Sequence, residues 1–140
     1  MTRPLVIKFG GELIEDRAHL ATAVGALSTI AATGAPLVVV HGGGKEIDAA
    51  LKAAGIEKRQ VDGLRITDEP TLDVVVSVLA GAVNTRFVAA LNTAGVRGVG
   101  LTGADALCGL SAATNCGKND TKKSTTFGFS TFVTNPCAKS

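Results

Sequence analysis

Twice near its start the chain runs from an apolar stretch straight into consecutive glycines. Leu5-Val6-Ile7-Lys8-Phe9 meets Gly10-Gly11, and Leu37-Val38-Val39-Val40-His41 meets Gly42-Gly43-Gly44. Short apolar runs rich in branched side chains and stopped by glycine suit buried strands that end in sharp turns. Helix-period segments follow each of them. Asp16 is placed to cap a helix whose Leu20, Val24, Leu27 and Ile30 share one face, closed by Gly34 and Pro36. A second helix from Lys45 turns Ile47, Leu51 and Ala54 inward and stops at Gly55.

Glu57 to Ile66, with Asp62-Gly63 at its centre, reads as a β-hairpin. Thr67 or Asp68 then opens the longest helix, with Pro70 tolerated in its first turn. Leu72, Val75, Leu79, Val83, Phe87 and Leu91 form its apolar stripe, and Gly95 ends it before a third core strand, Val96 to Leu101. Strand and helix alternating through short connections argue for an α/β fold with a parallel sheet covered by helices on both faces. Ligands of such sheets bind beyond the carboxyl ends of the strands. Both glycine turns lie at such ends, which makes the two loops one candidate site.

With 46% hydrophobic residues but only 4% aromatics, the core must be built from Val, Leu, Ile and Ala. A net charge of +2, with no basic run interleaved with aromatics, gives no support for a nucleic-acid partner. No uninterrupted apolar stretch approaches membrane-spanning length and no signal-peptide pattern opens the chain, so a soluble cytoplasmic protein is expected. The three cysteines, Cys108, Cys116 and Cys137, lack metal or redox spacing, and their odd number argues against a secreted disulfide framework. No residue is assigned to a metal. Composition breaks near Gly109-Leu110, and from Ser111 onward Ser, Thr, Asn and Lys dominate. The expected division is residues 1–107 as the folded unit and 108–140 as a divergent, poorly structured polar tail; one weak strand, Phe127 to Thr134, is the alternative.

Three places concentrate chemistry. Lys8 precedes Gly10 and Gly11; such glycines let backbone amides approach a phosphate, and the lysine supplies a point charge for the same oxygens. A plain strand-ending turn would look the same. Gly42-Gly43-Gly44 leads into a helix N-terminus, where unpaired amides and the helix dipole favour an anion. This is neither a Walker A loop, because Lys45 is followed by Glu46, nor a dinucleotide fingerprint. His41 could act as a base, but a histidine ending a buried strand more often bonds to neighbouring loops. Arg65, just past the hairpin turn, can fork onto a carboxylate as a lysine could not. Lys58, Arg59 and Arg86 read as solvated surface cations, and Asn84 as a helix-surface or interface residue.

Taken together, the order and spacing of Val6-Ile7-Lys8-Phe9-Gly10-Gly11, Val39-Val40-His41-Gly42-Gly43-Gly44-Lys45-Glu46-Ile47 and Gly63-Leu64-Arg65-Ile66-Thr67 resemble N-acetylglutamate kinase, of the amino-acid kinase family. Leu79-Ala80-Gly81 through Asn84 and Gly100-Leu101-Thr102-Gly103 extend the resemblance over about residues 3 to 107. It implies a three-layer αβα sandwich with a mainly parallel central sheet. It also implies a cytoplasmic enzyme of arginine biosynthesis that moves the γ-phosphoryl of ATP, with Mg2+, to the side-chain carboxylate of N-acetyl-L-glutamate. By that resemblance Lys8 is catalytic and, with Gly10 and Gly11, lies against the ATP phosphates, while Gly43, Gly44 and Arg65 hold acetylglutamate. A homodimer through the long helix, Leu72 to Leu91, is a further implication.

The family's C-terminal half supplies the adenine pocket, an organising aspartate and a second lysine, and Asp105 does not match that aspartate. The expectation is a truncated, weak or inactive version of the kinase. Starting directly at the first strand leans towards arginine insensitivity. The alternatives are a non-catalytic acetylamino-acid-binding or interaction module, and another amino-acid kinase of the glutamate 5-kinase or aspartokinase type. Gly63-Leu64-Arg65 after the triple glycine argues against the latter.

Overall fold

The computed structural model describes residues 3–105, together with the backbone of 129–133. Cys108, Cys116, Cys137 and most of the polar tail lie outside the described residues. The first strand, β1 (Leu5–Phe9), pairs in parallel with β2 (Leu37–His41), setting Leu5 beside Leu37 and Phe9 beside His41. The third strand of the core, β5 (Gly98–Thr102), does not touch β2. Between them runs β6 (Phe129–Val133), antiparallel to both, so the sheet order is β1-β2-β6-β5. β1, β2 and β5 therefore share one direction. The strand alternative for the tail matches β6, and its place inside the sheet is what the local sequence did not reveal.

Pairing fixes the faces. Ile7 and Val39 share one row, and Leu5 and Leu37 another, which ends on Gly98. Ile7, Phe9, Leu37 and Val39 enter one core with residues of the helices. Alternation sends Val6 and Val99 to the opposite face, where they are 61% and 49% exposed.

Local chemistry explains the helices. Helix α2 (Arg17–Ala32) starts at Asp16, whose carboxylate accepts from the amides of Ala18 at 2.8 Å and His19 at 2.9 Å. A one-turn helix that the periodicity did not announce, α1 (Glu12–Glu15), precedes it and buries Ile14. Helix α3 (Gly44–Ala53) directs Ile47 and Leu51 into the core. Asp62 and Gly63, with φ of 50° and 78°, form the left-handed pair that joins β3 (Gln60–Val61) to β4 (Leu64–Arg65).

The last helix opens at Asp68, which accepts from the Thr71 amide at 3.2 Å. It runs as α4 (Glu69–Val76), a π-helical stretch (Ser77–Val83) and α5 (Asn84–Thr93). Leu79, Val83, Phe87 and Leu91 are buried along it. Over its 25 residues this helix holds an 18-residue window with a mean hydropathy of 1.8, enough to cross a bilayer by length and composition alone, a test that the core helix of a soluble protein also passes. Asp73, Asn84 and Arg86 interrupt it, so no uninterrupted apolar run of that length is present. In the fold its buried stripe lies against the sheet.

Candidate functional site

The two glycine loops meet backbone to backbone. A Cβ added to Gly11 would lie 3.1 Å from the Gly43 Cα and 3.2 Å from its nitrogen. One added to Gly43 would press on Leu79 and Val83, at 3.0 and 3.2 Å. At both positions a side chain would have to push its neighbours aside. Gly10 and Gly44 differ: a Cβ on either would meet nothing within 4 Å, so both border open space. Gly43 caps α3 without a side-chain bond, which leaves the first amides of a ten-residue helix directed outward beside Gly44. Lys45 closes the seam from outside, with Nζ 2.9 Å from Glu12 and 3.9 Å from Glu15. Its hydrogen bond and charge hold the Glu12 carboxyl below the usual range.

Lys8 is exposed and stands level with Val40, on the face opposite Ile7 and Phe9. It therefore flanks the strand end where Gly10 begins. Arg65 arrives from another direction. Its side chain is only 17% exposed, and its guanidinium pairs with Asp48 of α3, one turn in from Gly44. Asp48 also accepts from Lys58 at 2.7 Å. Arg65 Nε is buried with no hydrogen-bond partner among the described residues. The fold thus brings Gly10, Gly11, Gly43 and Gly44 together, sets Lys8 at their edge and anchors Arg65 to the helix that Gly43 caps.

His41 lies inside the packed layer, 5% exposed, with its ring 5.9 Å from that of Phe87, which also meets Phe9 at 6.3 Å. Burial pushes its imidazole below the ordinary value, against the opposing pull of the Gly42 carbonyl and Asn84. This is a loop-bracing histidine more than an accessible base.

Two expectations need correction. Asn84 is 8% exposed, and a Cβ on Gly100 would fall on its amide, so β5 carries glycine there to admit it. Arg86 is no free surface cation: it grips both oxygens of Glu46 at 2.5 and 3.2 Å and reaches the Ile14 carbonyl at 3.4 Å. It ties α5 to the first turn of α3 and to α1. The available signal was its place one residue before Phe87, on the margin of the apolar stripe. Lys58 and Arg59 are half-exposed but paired, Arg59 with Asp68. A shallow groove of about 380 Å³ is lined by Asn84, Thr85, Val88, Ala89, Asn92 and Gly100, none of them from the glycine loops.

With this geometry in view, known proteins supply the frame. Residues 3–127 match the amino acid kinase family. The chain is 41% identical over 115 residues to an acetylglutamate kinase of Cyanidium caldarium, covering 82% of this chain and 38% of that protein. It is 44% identical over 103 residues to one from Acaryochloris marina, covering 74% and 36%. The chain therefore spans less than two fifths of the length of these relatives. Among solved structures, smu.665 from Streptococcus mutans UA159 superposes with a TM-score of 0.56 at 26% identity, over 66% of this chain and 37% of that one. The paired glycine loops, the α/β layers and the match over residues 3–127 agree: this chain belongs to the amino acid kinase family.

Proposed function

We propose that residues 1–107 form the substrate-binding and phosphoryl-transfer half of an acetylglutamate kinase, with 108–140 a divergent tail. In this reading the γ-phosphoryl of ATP passes to the side-chain carboxylate of N-acetyl-L-glutamate. An oxygen–phosphorus bond forms on the carboxylate as the bond to the departing ADP breaks. The acceptor is already ionised at neutral pH, so the site needs position and positive charge more than a base. Lys8 faces the transferring phosphoryl group, Gly10 and Gly11 offer amides to the nucleotide phosphates, and Gly43, Gly44 and Arg65 hold acetylglutamate. The open space beside Gly10 suits a phosphate chain. Mg2+ would enter with the nucleotide phosphates and supply further positive charge there; the described residues contain no group of three His, Cys, Asp or Glu side chains placed to hold a metal.

The observation that carries the reading is the contact of Gly11 with Gly43, which joins a phosphate-type turn to a helix start. The relatives named acetylglutamate kinase support the choice of substrate. We further infer a soluble cytoplasmic location in arginine biosynthesis. A homodimer through the helix from Leu72 to Leu91 would use its outward residues, such as Val76, because Leu79, Val83, Phe87 and Leu91 belong to the core.

The test pairs calorimetry of acetylglutamate binding with trapping of the acyl phosphate by hydroxylamine in the presence of Mg-ATP. Turnover that disappears in Lys8→Ala supports the kinase. Saturable acetylglutamate binding without turnover fits the expected incomplete kinase if ATP also binds and a binding module if it does not, and no acetylglutamate binding at all sinks both.

A further inference from the structure

Arg65 poses a physical problem. A guanidinium this shielded has lost much of its hydration and needs a partner, yet a partner that neutralised it fully would blunt it for a ligand. The structure resolves this with three residues from three elements. Asp48 of α3 accepts from Arg65 of β4 and, at 2.7 Å, from Lys58, which lies in the segment before β3. Two cations on one carboxylate leave the cluster with a net charge of about +1, beside a helix N-terminus of the same sign.

We infer that Asp48 is a positioning residue, holding Arg65 beside the start of α3 while Lys58 offsets its charge, so that the cluster remains cationic and receptive to a carboxylate ligand. This rests on the reading of Arg65 as a substrate contact. Asp48 is suited to the work by its place in sequence, one turn beyond Gly44 on the same helix, so the anchor and the glycine loop move as one body. Its carboxyl is held below the ordinary range, first by the hydrogen bond from Lys58 and then by the charges of Arg65 and Lys58 against the cost of burial. The anchoring carboxylate thus stays ionised at neutral pH. A geometry fixed before the ligand arrives loses less side-chain freedom on binding.

Two measurements on the 140-residue chain decide the matter. The first needs no ligand: rotation of the Arg65 guanidinium, read by 15N NMR, should be slow in the parent chain and fast in Asp48→Asn. It should be slower still in Lys58→Met, where Asp48 is left to Arg65 alone. The second is a binding cycle with N-acetyl-L-glutamate. Asp48→Asn should weaken binding roughly tenfold in the parent background and have no further effect in Arg65→Ala. Lys58→Met should weaken it by about threefold. A purely structural Asp48 would give equal losses in both backgrounds and would not drive the two variants in opposite directions by NMR. Unchanged Arg65 rotation in Asp48→Asn overturns the inference. Should the parent chain fail to bind acetylglutamate, the proposed substrate falls, while the NMR comparison still decides whether Asp48 holds Arg65.

Discussion

The strand-end loops and the hairpin are both candidates for ligand contact, yet they are held by different forces. Gly11 and Gly43 touch through bare backbone and are backed by Leu79, Val83 and the edge-to-face contacts of Phe87 with Phe9 and His41. Arg65, Lys58 and Arg59 are held mainly by ion pairs with Asp48 and Asp68, at partly exposed positions. Packing forces are short-ranged and depend on shape, so the contact of Gly11 with Gly43 should tolerate salt but resist an added side chain. Ion pairs near the surface tolerate small changes of shape but answer to ionic strength and pH. The molecule thus joins a glycine cradle held by packing to a hairpin tied down by charge.

The largest effect should come from removing the backing of the loops. Phe87→Ala empties a fully buried site between Phe9 and His41 and should cost about 3–5 kcal/mol in urea unfolding. A loss below about 1 kcal/mol would mean that the cradle does not depend on its packing. Next is Gly43→Ala, whose methyl would meet Leu79 and Val83; it should cost about 1–3 kcal/mol, and less in a Leu79→Ala background. Equal costs in the two backgrounds would break the argument from close approach.

The hairpin should look different. Arg59→Gln removes the pair with Asp68, and its effect on the urea midpoint should be small and shrink further in high salt. A salt-independent loss would place the hairpin with the packed region. The smallest signal should be a pH slope. The folded value of His41 is depressed below 6.5, so the unfolded chain takes up the proton more readily. Stability from this group is complete at neutral pH and is lost as pH falls from about 6.5 through the folded value. Thermal melts of His41→Gln should lack that slope; a persisting slope would assign it to another group.

Much of this was legible because the signals are local. Asp16, Asp68 and Asp62-Gly63 each act on amides or dihedrals within a few residues, and each stands where the spacing placed it. Gly10-Gly11 and Gly42-Gly43-Gly44 were readable as strand ends, but not which member of each run touches a neighbour and which faces open space. The hidden features are long-range. Nothing near Glu46 marks its partner forty positions away at Arg86. Nothing in Phe129–Val133 says that it separates β2 from β5.

The π-helical stretch did leave a trace. Leu79, Val83, Phe87 and Leu91 recur at every fourth residue, and in a regular helix of 3.6 residues per turn such a row drifts by about 40° per step. Widening the turn over Ser77–Val83 offsets part of that drift and keeps Leu79 and Val83 against Gly43.

The position of β6 also bears on how the protein comes into being on the ribosome. β2 and β5 share no bond, and the strand that links them is the last described segment to be synthesised. The pair β1–β2 can close early, with α2 docked upon it, whereas β5 has no neighbour in the sheet until residue 133 has left the exit tunnel. The step that completes the sheet must bring Val133 back to Leu37 across most of the chain, a late and slow closure. During that interval the edges of β2 and β5 are open to other chains, so the yield of soluble protein should depend on the rate of translation through the final stretch.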